Sequence, residues 1–153
     1  MRALKALFGL LLLCVAALAA DSPFSGTWKL HLAKSKLLPG DTTTSDVYHV
    51  VADDMNVKFT EEWTDAKGVR NISSEGKWDG KDYPIKGDPE SDTISYHREG
   101  SHAFTDTIKK NGKVIATGKV AVSEDGQTET VDFTVYAEGK AQNGVAVYEK
   151  QHE

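Results

Sequence analysis

Past residue 19 the sequence contains no cysteine: Cys14, the single one in 153 residues, lies inside an N-terminal apolar stretch. A mature chain without thiols has no disulfide staples, no thiol catalysis and no cysteine metal site. Proline is scarce as well, with four residues, and no run of basic residues exists. Without a basic stripe the chain lacks the electrostatic term that dominates nucleic-acid binding, and an anionic lipid surface repels it. The histidines His31, His49, His97, His102 and His152 are scattered. There is no zinc-type spacing, no nucleophile elbow and no phosphate loop. The sequence therefore reads as a non-enzyme, with no catalytic residue, no metal site and no cofactor expected.

What is present describes an ordinary water-soluble domain, with 39% hydrophobic, 27% charged and 8% aromatic residues. Met1 to Ala19 reads as a secretory signal: Arg2 and Lys5 form the basic start, Ala6 to Val15 the apolar run, and Ala17-Leu18-Ala19 the cleavage pattern before Ala20. The apolar run is too short to span a bilayer comfortably, so no membrane insertion is expected after cleavage. Cys14 leaves with the leader. Residues 20–153 are expected to fold as one domain, secreted or periplasmic and monomeric. Losing Arg2 and Lys5 leaves 16 basic against 23 acidic residues, which takes the formal charge from −5 to −7. That balance favours solubility.

Punctuation sets the fold class. Asp79-Gly80, Glu99-Gly100, Asn111-Gly112, Asp125-Gly126 and Glu138-Gly139 are tight-turn pairs, and between them lie runs rich in Val, Thr, Ile, Tyr, Phe and Trp. The spacing predicts an all-β chain of 8–10 strands with little helix, closing as an antiparallel up-and-down β-barrel. Only residues 33–38 suggest a helical turn, and 79–92 reads as a long loop.

Register follows from alternation. Met55, Val57, Phe59, Glu61 and Trp63 share one face, and Arg70, Ile72, Ser74, Gly76 and Trp78 share another. A turn at 65–68 pairs residues whose numbers sum to 133, so these faces coincide, with Trp63 opposite Arg70 and Met55 opposite Trp78. Lys58 falls opposite Glu75 on the outer face. A hairpin at 99–101 predicts a sum of 200, with Tyr96 opposite Phe104. The turn at Asn111-Gly112 predicts 223, with Ile108 opposite Ile115. In 113–122 that register conflicts with the apolar face of Val114, Val120 and Val122, which a bulge would reconcile. Val131, Phe133 and Val135 make a clean inward face.

Two segments carry a resemblance. Phe24-Ser25-Gly26-Thr27-Trp28-Lys29-Leu30 resembles the opening Gly-x-Trp strand of lipocalins and fatty-acid-binding proteins, and Val147-Tyr148-Glu149-Lys150 resembles the closing strand of the latter. Trp78 to Pro84, with Gly87-Asp88-Pro89, resembles uncharacterised secreted lipocalin-like (calycin) proteins of soil bacteria. The resemblance implies a lipocalin-like barrel around a small hydrophobic or amphipathic ligand. It implies structural roles for Trp28, across the barrel floor, and Lys150, above it. Tyr148 matches the Tyr of the fatty-acid-binding Arg-x-Tyr, while Ala146 stands in place of the Arg.

The expected ligand-binding residues are Phe59, Glu61, Trp63, Arg70, Tyr96, Phe104 and Tyr148, inward positions on the inferred strands. Glu61 with Arg70 reads either as an ion pair anchoring a polar head or as a rim pair with Arg70 stacked on Trp63; in both, Arg70 lowers the pKa of Glu61. Two functions stay open. One is a cavity that holds a small molecule. The other is a solid-cored envelope or interaction protein that uses an outward stripe of Val114, Val120 and Val122.

Overall fold

Alternating apolar and polar residues gain most as strands of a sheet with one covered face, and closing that sheet removes its edges. The computed structural model describes residues 22–152; the expected leader, its expected cleavage before Ala20 and Cys14 lie outside them. The chain forms β1 (Gly26–Leu30), β2 (Ser45–Ala52), β3 (Asn56–Asp65), β4 (Gly68–Lys77), β5 (Tyr83–Lys86), β6 (Thr93–Arg98), β7 (Ala103–Lys110), β8 (Lys113–Val122), β9 (Thr128–Ala137) and β10 (Lys140–Gln151). Each strand pairs antiparallel with the next, and β10 returns to β1. This is the expected up-and-down barrel, at the upper end of the expected strand count. One 3₁₀ turn, Leu32–Lys34, is the only helix among the described residues.

The β3/β4 register is the one that alternation gives: Trp63 opposes Arg70, Glu61 opposes Ile72, and Lys58 opposes Glu75 with a 2.6 Å ion pair. Met55 keeps its expected place opposite Trp78, whose backbone N–H donates to the Met55 carbonyl at 3.3 Å, but it precedes β3 and its side chain is 65% exposed rather than inward. The β6/β7 pairing sums to 202, not 200, with Tyr96 opposite Asp106 and Arg98 opposite Phe104. The turn is centred one residue later than expected, on Ser101 rather than Gly100, and the shift of two preserves every face. β7 and β8 start at Lys110 opposite Lys113, then slip at a bulge between Ile108 and Lys109, so that Ala116, not Ile115, opposes Ile108. The bulge turns Val120 and Val122 into the core, where both are buried. The outward valine stripe is thereby corrected. A further correction falls at 79–92, where β5 bridges β4 and β6 within the expected loop.

Local chemistry explains the tightest positions. Asn111-Gly112 and Glu138-Gly139 both turn with two successive positive φ angles, the mirror-image turn whose twist suits a hairpin. Gly144 lies opposite Phe133, and its missing side chain is where the Phe133 ring rests.

One end of the barrel is plugged. Phe24 packs edge-on against Phe104 at 5.1 Å and tilted against Trp78 at 5.6 Å, with the Arg98 guanidinium 5.6 Å from the Phe24 ring. Trp28 is fully buried, donates its Nε1–H to the Phe24 carbonyl at 3.0 Å, and carries the Lys150 ammonium 5.0 Å from its ring centre. Register puts Trp28 directly beside Lys150. The opposite end lies beneath residues 37–44, where Trp63 Nε1 donates to the Thr43 hydroxyl at 2.9 Å and Thr44 N–H to the Thr64 carbonyl at 2.9 Å.

Candidate functional site

Between plug and cover the barrel encloses a cavity of about 510 Å³. The inward faces of β2, β3, β6, β7, β8, β9 and β10 supply its wall, so the alternation that makes the strands also makes the chamber. Of the expected site residues, Phe59, Glu61, Trp63, Tyr96, Phe104 and Tyr148 line it. A chamber of this size is within the range of small-molecule sites. The solid-core expectation does not describe this interior.

Arg70 does not line the cavity. Its guanidinium stacks on Trp63 at 4.1 Å, reaches Asp65 at 2.7 Å and Asp88 at 3.3 Å, and touches Glu90 at 3.4 Å. The ion pair expected between Glu61 and Arg70 is therefore corrected: the planar fork is held by acids of the β3/β4 turn and the 87–92 connection. Arg70 is only 13% exposed, and Asp65 and Asp88 are similarly covered. Arg70→Met strands two carboxylates in a nearly dry place, and is expected to lower stability by about 2 kcal/mol, between an exposed and a fully buried pair. Denaturant unfolding of the variant checks this.

Glu61 meets Asp46 instead. Asp46, buried on β2, accepts the Tyr148 hydroxyl on Oδ2 at 2.7 Å, and the Glu61 carboxyl is within hydrogen-bonding reach of it. Burial first, then the Asp46 charge, pushes Glu61 well above the usual carboxylate range, the reverse of the effect expected from Arg70. Burial also raises Asp46, against the lowering by its bonds to Tyr148 and Glu61. The Tyr148 phenol is pushed up by burial and by the Asp46 charge. Both carboxyls of the pair are thus held above the ordinary carboxylate range, Glu61 well above it.

Two further carboxyls line the chamber. Glu129, on β9 directly opposite Tyr148, is 2% exposed, and burial pushes it up to about 8 against the pull of Lys150. Asp106, on β7, is pushed up to about 6 by burial, against the Gly118 N–H. Gly118 is its cross-strand partner, and a β-carbon there would lie 2.8 Å from Asp106 Oδ1. Among the described residues no three or more His, Cys, Asp or Glu are grouped to hold a metal ion.

Sequence reasoning missed Asp46, Asp106 and Glu129, yet parity marks them. Asp46 shares the face of Tyr48 and Val50, Asp106 that of Phe104 and Ile108, and Glu129 extends the face of Val131 and Phe133. Leu37, Leu38 and Asp41, from the segment over the mouth, were also unforeseen as lining residues.

The structure defines a closed antiparallel β-barrel with an internal chamber. No family model matches the chain, and no curated protein matches it. Among solved structures it is similar to one described as the siderocalin Ex-FABP, which functions through dual ligand specificities; the two are 11% identical, with 86% of this chain and 76% of that one covered and a TM-score of 0.43.

Proposed function

We propose that this protein is a secreted or periplasmic binding barrel that holds one small, largely apolar molecule in its interior. The observation that carries the reading is the 510 Å³ chamber, walled by Phe59, Trp63, Ile94, Phe104, Val131 and Phe133. Enclosed apolar walls of this kind leave water poorly hydrogen-bonded, so an apolar guest gains by displacing it. The polar groups within the wall orient the guest.

A neutral fluorophore, N-phenylnaphthylamine, tests this directly. It is expected to saturate at one molecule per chain with blue-shifted emission. Trp63→Ala, which removes a wall residue, weakens that binding, and Ala116→Trp, which fills the chamber, abolishes it in a folded protein. Linear, unsaturable fluorescence with the native chain defeats the proposal.

A further inference from the structure

The Asp, Glu, Lys, Arg and His side chains in the cavity wall are all of one kind, acidic. Asp41, Asp46, Glu61, Asp106 and Glu129 line it, whereas no Lys, Arg or His does. The nearest cations are engaged elsewhere, Arg70 at Asp65 and Asp88 and Lys150 over the Trp28 ring. An anionic head would enter an apolar space with no counter-charge and with carboxylates facing it, an arrangement that costs several kcal/mol. A cation would meet the opposite. Tyr48 opposes Glu61 across the β2/β3 ladder, and its ring lies 4.8 Å from that of Tyr148, so carboxyl oxygens and two aromatic faces converge on one corner.

A second observation concerns the polar atoms of this wall. Oδ1 of Asp46, on a residue 7% exposed that lines the chamber, takes no N–H or hydroxyl donor from the protein beyond the Glu61 carboxyl beside it. The Tyr96 hydroxyl, which also lines the chamber, has only the neighbouring Ser74 hydroxyl to turn to. A buried polar atom short of partners is destabilising, which a ligand group can relieve.

We propose that the guest is an apolar amine, whose ammonium group sits against Asp46 and Glu61 beside the rings of Tyr48 and Tyr148 while its apolar body fills the chamber. The inference rests on the cavity-binding reading given above and specifies its ligand class. The N–H groups of a primary amine reach the free oxygen of Asp46, and the aromatic faces add the attraction of a π-system for a desolvated cation.

Three probes with the same apolar body and different heads separate the possibilities: decylamine, decanol and decanoate, titrated calorimetrically into the full chain at neutral pH. Decylamine is expected to bind roughly 30-fold more tightly than decanoate, with decanol between them. The nearly isosteric double variant Asp46→Asn/Glu61→Gln keeps the volume and removes the charge; in it decylamine falls to the level of decanol, which itself is unchanged. Decanoate binding as tightly as decylamine overturns the amine proposal, and so does a folded double variant that retains the preference. Saturable decanol binding in either case leaves the cavity reading standing. Absence of saturation by all three defeats both. Should the double variant fail to fold, the ratio of decylamine to decanoate in the native chain decides alone.

Discussion

Replacing Trp28 by alanine is expected to lower stability by about 3–5 kcal/mol, the range for truncating a fully buried aromatic side chain. The indole is 0% exposed and closes the narrow end of the barrel beneath the β1/β10 seam. Its loss leaves a void, strips the Phe24 carbonyl of the donor at 3.0 Å, and removes the ring beneath the Lys150 ammonium. Against a total stability of about 5–15 kcal/mol for a domain, this removes a large fraction. Urea unfolding measures it as a fall in the midpoint with little change in slope. Trp28→Phe should recover part of the loss, keeping ring volume without the N–H. Since Trp28 is not in the cavity wall, whatever fraction of Trp28→Ala stays folded should bind N-phenylnaphthylamine as the native chain does. A midpoint unchanged in Trp28→Ala contradicts the structural role.

Alternation was readable where a strand obeys it on one face. β3 and β4 do, and their pairing was derived to the residue; so was the inward face of Val131, Phe133 and Val135. The β7/β8 hairpin was readable only as a conflict between turn register and apolar face, and the bulge that reconciles the two sits between Ile108 and Lys109, a position the conflict did not fix. Turn residues alone cannot show this, as Asn111-Gly112 fixes only the first rungs. The candidate site was half legible for a different reason. Sequence reading treats an acid as a solvent-facing residue, since ionised carboxylates are rarely buried without partners. Asp46, Asp106 and Glu129 break that habit while keeping the parity of their strands. Glu61 was found because its neighbours Phe59 and Trp63 flank it, but its partner was sought on the wrong side of β3, on β4 rather than β2. That choice followed from pairing opposite charges. The barrel instead sets two acids side by side, an arrangement that depends on dehydration and that no charge pattern displays.

Stability is expected to fall as pH rises from about 4.5 to about 8, and Glu129 should contribute a large part of the slope. Its ordinary value is 4.5 and burial in the barrel takes it to about 8, so over this window the folded chain holds a proton that the unfolded chain releases. A state that binds more protons loses ground as they become scarce, so the stabilisation is complete below the unfolded value and is gone above the folded one. Asp106, raised to about 6, acts in the same direction over a lower and narrower window, and Asp46 and Glu61 are raised as well. Surface carboxylates such as Asp92, held low by the Asn111 N–H and Lys110, act oppositely, but only on the acid side of this window. The Glu129 contribution alone is on the order of 3–5 kcal/mol at its full extent. The groups that face Glu129 set the size of the effect: Lys150 reduces it by favouring the carboxylate, and Asp46 increases it by repelling one. Glu129→Gln keeps the shape and removes the titration. Denaturant midpoints at pH 5 and pH 9 should therefore differ widely in the native chain and far less in the variant, with Glu129→Gln the more stable of the two at pH 9. Equal midpoints in the native chain at both values would mean that water reaches Glu129 and that the carboxylate is hydrated inside the barrel, in which case the dry, acidic wall that favours a cation is lost with it.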